Sequence, residues 1–320
     1  MLKTIITALA LVLAWLATPI AASAQSTHLL IVVGLGGDEE HGALFDKWGA
    51  KLAAVATDKL GVPAAQVVSL SGPQATRAAI VKAFGALATQ STADDTVVIV
   101  LFGFGTFDGQ VAKFNLPGPD MTPADFAPLL AHLRSRRIVF VDTTSSSAPF
   151  VEALSGPGRV IIAAAQAGQH YATLFGGPFV DAFADPAADA DHDGKVSILE
   201  AFQYAKTQVA AQYTREGLMP LENPVLDDNG DKEGSQEPGA QAKDGKTAAV
   251  LSLGSINQEA LPADPKLRAL YLERQDLERR IDSLKLMKGS MDPAKYEQEL
   301  ENLATELALK TRQIKDAGGK

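Results

Sequence analysis

Two apolar runs decide the fold of this chain: TVVIVLFGFG at residues 96–105 and RIVFVDTTSSS at residues 137–147. Both runs are continuous in Val, Ile, Leu and Phe rather than alternating with polar residues, which is typical of strands buried on both faces. Runs of the same character lie at His28–Gly34, Gln66–Leu70 and Arg159–Ala164. The sequence therefore predicts five buried strands.

Stretches with helical character separate these runs. The third of them begins with Thr122-Pro123-Ala124-Asp125, which has the spacing of a capping box and proline at the first helical position. The alternation predicts an α/β fold, a three-layer α/β/α sandwich with a mainly parallel sheet. In such sheets functional groups collect at the carboxyl ends of the strands. The predicted helices are His41–Leu60, Gln74–Thr89, Thr122–Arg134 and Ala148–Leu154.

The first 24 residues have the pattern of a secretory signal peptide. Lys3 is followed by an apolar run from Ile5 to Leu16 and by Ala22-Ser23-Ala24, a small-x-small site that predicts cleavage after Ala24. The alternative is an uncleaved membrane anchor, but the run is short for crossing about 30 Å of hydrocarbon. We therefore expect a periplasmic or secreted protein with no stable membrane insertion.

The composition and net charge limit which classes of molecule the protein is expected to bind. The chain has 320 residues, 46% of them hydrophobic and 21% charged, as expected for a globular protein. Its formal net charge is −9, and an acidic surface repels phosphate backbones, so nucleic acid is not an expected partner. The chain contains no cysteine, so export brings no disulfides and stability must come from the core and from any bound metal.

The loops at the carboxyl ends of the apolar runs at 96–105 and 137–147 resemble those of a known protein family. Gly103-Phe104-Gly105 and Asp142-Thr143-Thr144-Ser145-Ser146-Ser147 stand where caspase-like and legumain-like cysteine peptidases have Gly-His-Gly and Asp-Ala-Cys-x-Ser-Gly. The run RVIIAAAQAGQHYATLFGGPFVDAF at residues 159–183 is also similar to such bacterial proteins. The resemblance implies a caspase-like sandwich over residues 25–231 and the chemistry of a cysteine endopeptidase.

The residues at these two positions lack the side chains that this chemistry requires. Phe104 replaces the general base and Thr144 replaces the nucleophile, so neither a thiolate nor an imidazole is present at its place. Thr144, Ser145 or Ser146 could act instead only with a nearby base, for which His41 and His170 are the candidates. The alternative is structural: these hydroxyls cap the helix that begins near Ala148.

The strongest intact motif is DADHDGKVSILE at residues 189–200, which fits the twelve-residue EF-hand calcium loop. Carboxylates occupy positions 1, 3, 5 and 12, and glycine occupies position 6. Oxygen ligands suit a hard cation, so we expect a structural Ca²⁺ site with an affinity on the order of 10⁻⁴–10⁻³ M. The alternative is an Asp-rich turn without metal. The predicted ligands are Asp189, Asp191, Asp193, the Lys195 carbonyl, Ser197 and Glu200.

The pattern changes again towards the carboxyl terminus. Residues 227–247 contain almost no apolar residue and are interpreted as a flexible linker or exposed loop, with the linker placed at 232–262; the second acidic turn, at 227–231, is interpreted as a loop. Residues 263–316 place apolar side chains at alternating spacings of three and four, with Gly289 ending one helix and Asp292-Pro293 beginning the next. This predicts an antiparallel helical hairpin with a coiled-coil seam, which folds on itself or associates with a second chain.

Three hypotheses about function follow. The first is an exported pseudopeptidase that binds a protein or peptide as a scaffold, with a structural calcium loop. The second is a hydrolase that uses Thr144 or a neighbouring serine, and the third is a calcium-responsive interaction module.

Overall fold

The structure, a computed structural model, describes residues 26–165, 172–219, 221–254, 264–286, 288 and 291–318. The strands are β1 Thr27–Val33, β2 Val67–Leu70, β3 Thr96–Phe102, β4 Gly105–Phe107, β5 Ala112–Phe114, β6 Arg137–Asp142, β7 Arg159–Ala163 and β8 Val225–Asp227. The centre of the fold is a six-stranded sheet with the strand order β2-β1-β3-β6-β7-β8, in which all neighbours are parallel except β7 and β8. A separate two-stranded hairpin is formed by β4 and β5.

Helices cover both faces of the sheet. The helices are α1 Glu39–Asp58, α2 Arg77–Gln90, α3 Pro123–Ala131, α4 Ala148–Leu154, α5 Gly176–Ala182, α6 Ile198–Arg215, α7 Pro265–Leu286 and α8 Pro293–Asp316. One face packs against α1, α5 and α6 to form the first core, and the other packs against α2, α3 and α4 to form the second core. Successive residues of each strand enter opposite cores: in β1, Leu29 faces the first core and Leu30 the second.

The prediction of an α/β fold with a mainly parallel sheet and helices on both faces is confirmed. All five predicted strands are present, and the predicted capping box of α3 forms, since Thr122 and Asp125 exchange side-chain and backbone hydrogen bonds. The sequence did not reveal the β4–β5 hairpin or the short edge strand β8. Both lie in segments too short for a period to be read.

The prediction of a flexible linker over residues 232–262 is wrong for its described part, which ends at Gly254. Ala248, Leu251 and Leu253 are buried in the first core. The amide groups of Ile198 and Leu199, at the start of α6, donate to the carbonyls of Leu251 and Ala248. The segment is polar in composition, but its few apolar residues are enough to pack it on the sheet layer.

The two C-terminal helices pack against each other through Leu277, Leu284, Tyr296 and Leu303. Lys310 pairs with Glu273. Asp292 begins α8 as predicted, because its side chain accepts a hydrogen bond from the Lys295 amide at 3.0 Å. The predicted cap at Gly289 lies outside the described residues, as does the predicted signal peptide. In the described part of the chain, no helix is long and apolar enough to cross a membrane.

Candidate functional site

The two loops named by the sequence meet at the carboxyl ends of β3 and β6, which are parallel neighbours. The Gly105 amide donates to Ser145 Oγ at 3.1 Å, and Ser145 Oγ donates to the Gly105 carbonyl at 2.9 Å. The contact leaves no room for a side chain, since a Cβ built on Gly105 would stand 1.9 Å from the Ser145 carbonyl oxygen. The sheet therefore brings the two predicted positions together, but the loops close on each other.

The hydroxyl groups of the second loop are buried and hydrogen-bonded. Thr144 Oγ1 donates to the Ser145 carbonyl at 3.1 Å, and Thr143 Oγ1 donates to the Leu101 carbonyl at 2.7 Å. Thr144, Ser145 and Ser146 are each 1% exposed. The expectation that a hydroxyl of this loop caps α4 is wrong for the N-cap residue. Ser147 makes no side-chain cap, and its hydroxyl bonds instead with Ala165.

Phe104 belongs to an aromatic cluster. Its ring lies 5.8 Å from that of Phe45 and 5.5 Å from that of His41, both edge-on. His41 Nδ1 is 2.7 Å from Asp38 Oδ2, and Asp38 also caps α1 through the His41 amide. The hydrogen bond of this ring nitrogen thus goes to a carboxylate on its own helix. His170, the other candidate base, lies outside the described residues.

Asp142, the last residue of β6, is an acid that the sequence did not single out as functional. It is 0% exposed; its Oδ1 accepts from the Thr144 amide at 2.9 Å, and its Oδ2 is buried without a partner among the described residues. Burial raises the pKa of Asp142 to about 7, and the hydrogen bonds from Thr144 only partly oppose this. The strand ends therefore hold one acceptor atom that nothing described satisfies.

The predicted calcium loop gathers three carboxylates. Asp189, Asp191 and Asp193 each offer an oxygen within 4.8 Å of the others, at positions half-exposed or exposed. The loop is folded around them: the Gly194 amide donates to Asp189 Oδ2 at 3.0 Å, and the Asp193 amide donates to Asp189 Oδ1 at 3.1 Å. Burial and the charges of Asp191 and Asp189 raise the pKa of Asp193. Three like charges so close favour a cation between them.

Two of the other predicted ligands, Ser197 and Glu200, form hydrogen bonds within the loop. Glu200 Oε1 accepts from the Ala190 amide at 2.8 Å, while its Oε2 accepts from the amide and hydroxyl of Ser197, which together form the capping box of α6. Lys195 Nζ lies 3.0 Å from Asp282 Oδ2 on α7. Of the six predicted ligands, the structure thus groups the three aspartates and links the position of Lys195 to the C-terminal helices.

Comparison with known proteins gives little guidance. No family model matches the chain, and no curated protein is similar to it. Among solved structures, protein GSU0716 from Geobacter sulfurreducens is similar over 63% of this chain and 92% of its own, with 14% sequence identity and a TM-score of 0.45. A similarity this distant says nothing about function.

Proposed function

We propose that this chain is an exported, catalytically inactive member of the caspase-like and legumain-like fold that acts as a binding or scaffolding protein. One observation carries the proposal: the hydroxyls at the nucleophile position are buried and donate to main-chain carbonyls, while Phe104 occupies the position of the base. A hydroxyl nucleophile needs an accessible oxygen and an adjacent base. Thr144 and Ser145 are 1% exposed, and their hydroxyls donate to main-chain carbonyls rather than to a side-chain base.

The parallel adjacency of β3 and β6 supports the resemblance, because the resembled peptidases carry their two catalytic groups after neighbouring central strands. In this proposal the chain keeps the fold of these peptidases, while residues that pack or form structural hydrogen bonds replace the reactive side chains. We assign the finer caspase-like name on this basis alone.

A peptide library assayed with calcium present tests the loss of activity. We expect no turnover by the wild type, by Thr144→Ala or by Ser145→Ala. Thr89→Ala, an exposed threonine on α2, is the matched control. Turnover that Thr144→Ala abolishes and Thr89→Ala retains would replace this proposal with the hydrolase.

The sheet edge at β2 is where an extended peptide could be bound. In the described part of the chain β2 pairs with β1 alone, and its residues are half-buried or exposed. The opposite edge, β8, is occupied, because Leu226 and Ser235 exchange both backbone hydrogen bonds at 2.9 Å. A peptide added to β2 would gain main-chain hydrogen bonds without entering the closed strand ends.

Backbone methylation provides the test of this binding mode. A peptide selected for binding is compared with its N-methylated copy, which keeps every side chain but lacks main-chain donors. We expect affinity to fall at least tenfold, as loss of two or more hydrogen bonds implies. Equal affinity of the two peptides would exclude strand addition.

The calcium loop is proposed to be a structural Ca²⁺ site held by Asp189, Asp191 and Asp193. The ion pair between Lys195 and Asp282 favours a second candidate function, in which calcium also alters the docking of α7. Hydrogen exchange of α7 and α8 with and without calcium separates the two. A change in protection there supports the responsive module, whereas a change confined to residues 189–200 supports a structural ion.

Export is proposed from residues 1–24, for which the structure describes nothing. The intact mass of the protein recovered from a bacterial periplasm or medium should correspond to a mature chain that begins at Gln25. Recovery of the uncleaved chain in the membrane fraction would favour the anchor.

A further inference from the structure

A second group of acids lies at the carboxyl end of β8, away from the calcium loop. Asp227, the last residue of this strand, is 1% exposed, Asp244 is 1% exposed and Asp228 is 7% exposed. Carboxylates are almost never this buried unless they are paired or coordinate a metal. Each of the three must therefore be accounted for by its contacts.

Asp228 is fully satisfied. Its Oδ1 accepts from the Gly245 amide at 2.8 Å, and its Oδ2 accepts from the amides of Thr247 and Ala248 at 2.7 and 2.9 Å. These bonds hold the end of β8 against the turn that contains Asp244. A carboxylate with three N–H donors needs no cation.

Asp227 is not satisfied. Its Oδ1 accepts from the amides of Asn229 and Gly230, at 3.2 and 3.1 Å. Its Oδ2 is buried and has no partner among the described residues. An unpaired acceptor of this kind is rare in folded proteins and indicates a group that the described chain does not supply.

Asp244 lies at the same end of β8. The Asp228 amide approaches Asp244 Oδ1 at 3.4 Å, which places the carboxyl group of Asp244 beside the end of β8. The carboxyl groups of Asp227 and Asp244 therefore lie at the same end of this strand.

The nearby lysine does not neutralise the pair. Lys243 Nζ lies 2.6 Å from Asp231 Oδ2 and 3.0 Å from Glu233 Oε2. No lysine or arginine in the described ranges forms an ion pair with Asp227 or Asp244. Two buried acids without a counter-charge either share a proton or hold a cation.

We propose that Asp227 and Asp244 bind a divalent hard cation, Ca²⁺ or one of similar chemistry, at the end of β8. Oxygen-only donors suit such a cation, and main-chain carbonyls or water would complete its shell. The cation would join the edge strand to the segment that ends at Gly254, the segment whose packing the sequence did not predict. The site shares no residue with the loop at 189–200.

The test uses the full chain in which the loop at 189–200 is disabled by Asp189→Asn, Asp191→Asn and Asp193→Asn. All three of these side chains are half-exposed or exposed. Calorimetric titration of this variant with CaCl₂ should still show one binding event, with a rise in melting temperature. Adding Asp244→Asn should weaken that binding at least tenfold. Adding Asp46→Asn, which removes the same charge from an exposed acid on α1, should leave it unchanged.

A comparison of melting temperatures guards against a variant that only misfolds. In EDTA, Asp244→Asn should be at least as stable as its parent because repulsion from Asp227 is relieved. In saturating CaCl₂ this order should reverse. Absence of heat and of any melting shift in the loop-disabled parent would overturn the proposal. Equal stabilisation by Asp244→Asn with and without CaCl₂ would also overturn it, in favour of a shared proton. One binding event in both the wild type and the loop-disabled parent would remove the first site only.

Discussion

The strand-end loops and the acidic loop at 189–200 are both rich in polar side chains, but they satisfy them differently. At the strand ends, Thr144 and Ser145 are buried and their hydroxyls donate to nearby carbonyls. In the acidic loop, the carboxylates of Asp189 and Asp193 accept from loop amides and still face each other across less than 4.8 Å. Hydroxyls can be neutral packing elements, whereas carboxylates held this close repel one another, which a cation between them would relieve. The second region is therefore the better place to look for a ligand.

Gly105→Ala should have the largest effect, because it drives a methyl group into the closed strand ends. The new Cβ would lie 1.9 Å from the Ser145 carbonyl oxygen and 2.8 Å from Thr144 Oγ1. We expect a loss of more than about 3 kcal/mol in the free energy of unfolding, measured by urea denaturation. Gly85→Ala on α2 is the control, because its Cβ meets nothing within 4 Å. This control should gain roughly 0.5–1 kcal/mol. An unchanged urea midpoint for Gly105→Ala would mean that the strand ends are open.

Asp142→Asn should have a pH-dependent effect on stability. The ordinary pKa of 3.8 applies in the unfolded chain, and burial raises the pKa of Asp142 to about 7 in the folded one. Between these values the folded state binds more protons, so stability falls as pH rises and stays low above pH 7. Because each pKa unit corresponds to about 1.4 kcal/mol, the variant should gain up to a few kcal/mol at pH 8 and almost nothing at pH 4.

Thermal melts across that pH range measure the Asp142 effect. Asp125→Asn is a control of opposite sign: burial acts to raise the pKa of Asp125, but hydrogen bonds from Thr122 and the charge of Arg77 outweigh it and lower the pKa. Its variant should lose more stability at pH 7 than at pH 3. If Asp142→Asn raised the stability equally at pH 4 and pH 8, the result would contradict a raised pKa of Asp142 in the folded protein.

Calcium should stabilise the protein through the acidic loop by an intermediate amount. At 10 mM calcium, a dissociation constant on the order of 10⁻⁴–10⁻³ M corresponds to about 1.4–2.7 kcal/mol, seen as a rise in melting temperature. Asp193→Asn should remove that part of the rise, whereas Asp46→Asn, an exposed acid on α1, should retain it. An identical rise in both variants would show that the loop is a turn without metal.

Asp282→Asn should have the smallest effect. Burial acts to lower the pKa of Lys195, but the charge of Asp282 and its hydrogen bond outweigh this and raise the pKa. The pair is partly exposed, so we expect a loss of no more than about 1 kcal/mol. Hydrogen exchange of α7 is the sensitive measurement, and Asp46→Asn, which removes an exposed acid on α1, is the comparison. Unchanged protection of α7 would mean that the acidic loop does not help to hold the C-terminal helices.

Much of the fold could be predicted because strands buried on both faces leave a continuous apolar signal. The runs that predicted β3 and β6 start at the residues where these strands start, and their loops meet as expected. The short strand β8 could not be predicted, because its three residues carry no period and its place depends on pairing with β7.

The candidate sites were predicted less evenly. The calcium motif located Asp189, Asp191 and Asp193, since its spacing is local to one loop. The buried pair Asp227 and Asp244 was missed because its members are distant in sequence and 227–231 has the composition of an exposed turn. The burial of Ala248 and Leu251 was missed for the same reason, since the surrounding residues are polar.

The sequence alone determined the five parallel strands of the central sheet, the helices that separate them, the missing thiol and imidazole, and the spacing of the acidic loop. These properties are set by residue identity and by neighbours along the chain. Only the tertiary structure decided that the strand ends are closed, that Asp142 is buried with an unpaired oxygen, and that the buried Asp227 lies at the same strand end as Asp244. Burial and the pairing of distant groups depend on how the layers pack, and no local pattern encodes them.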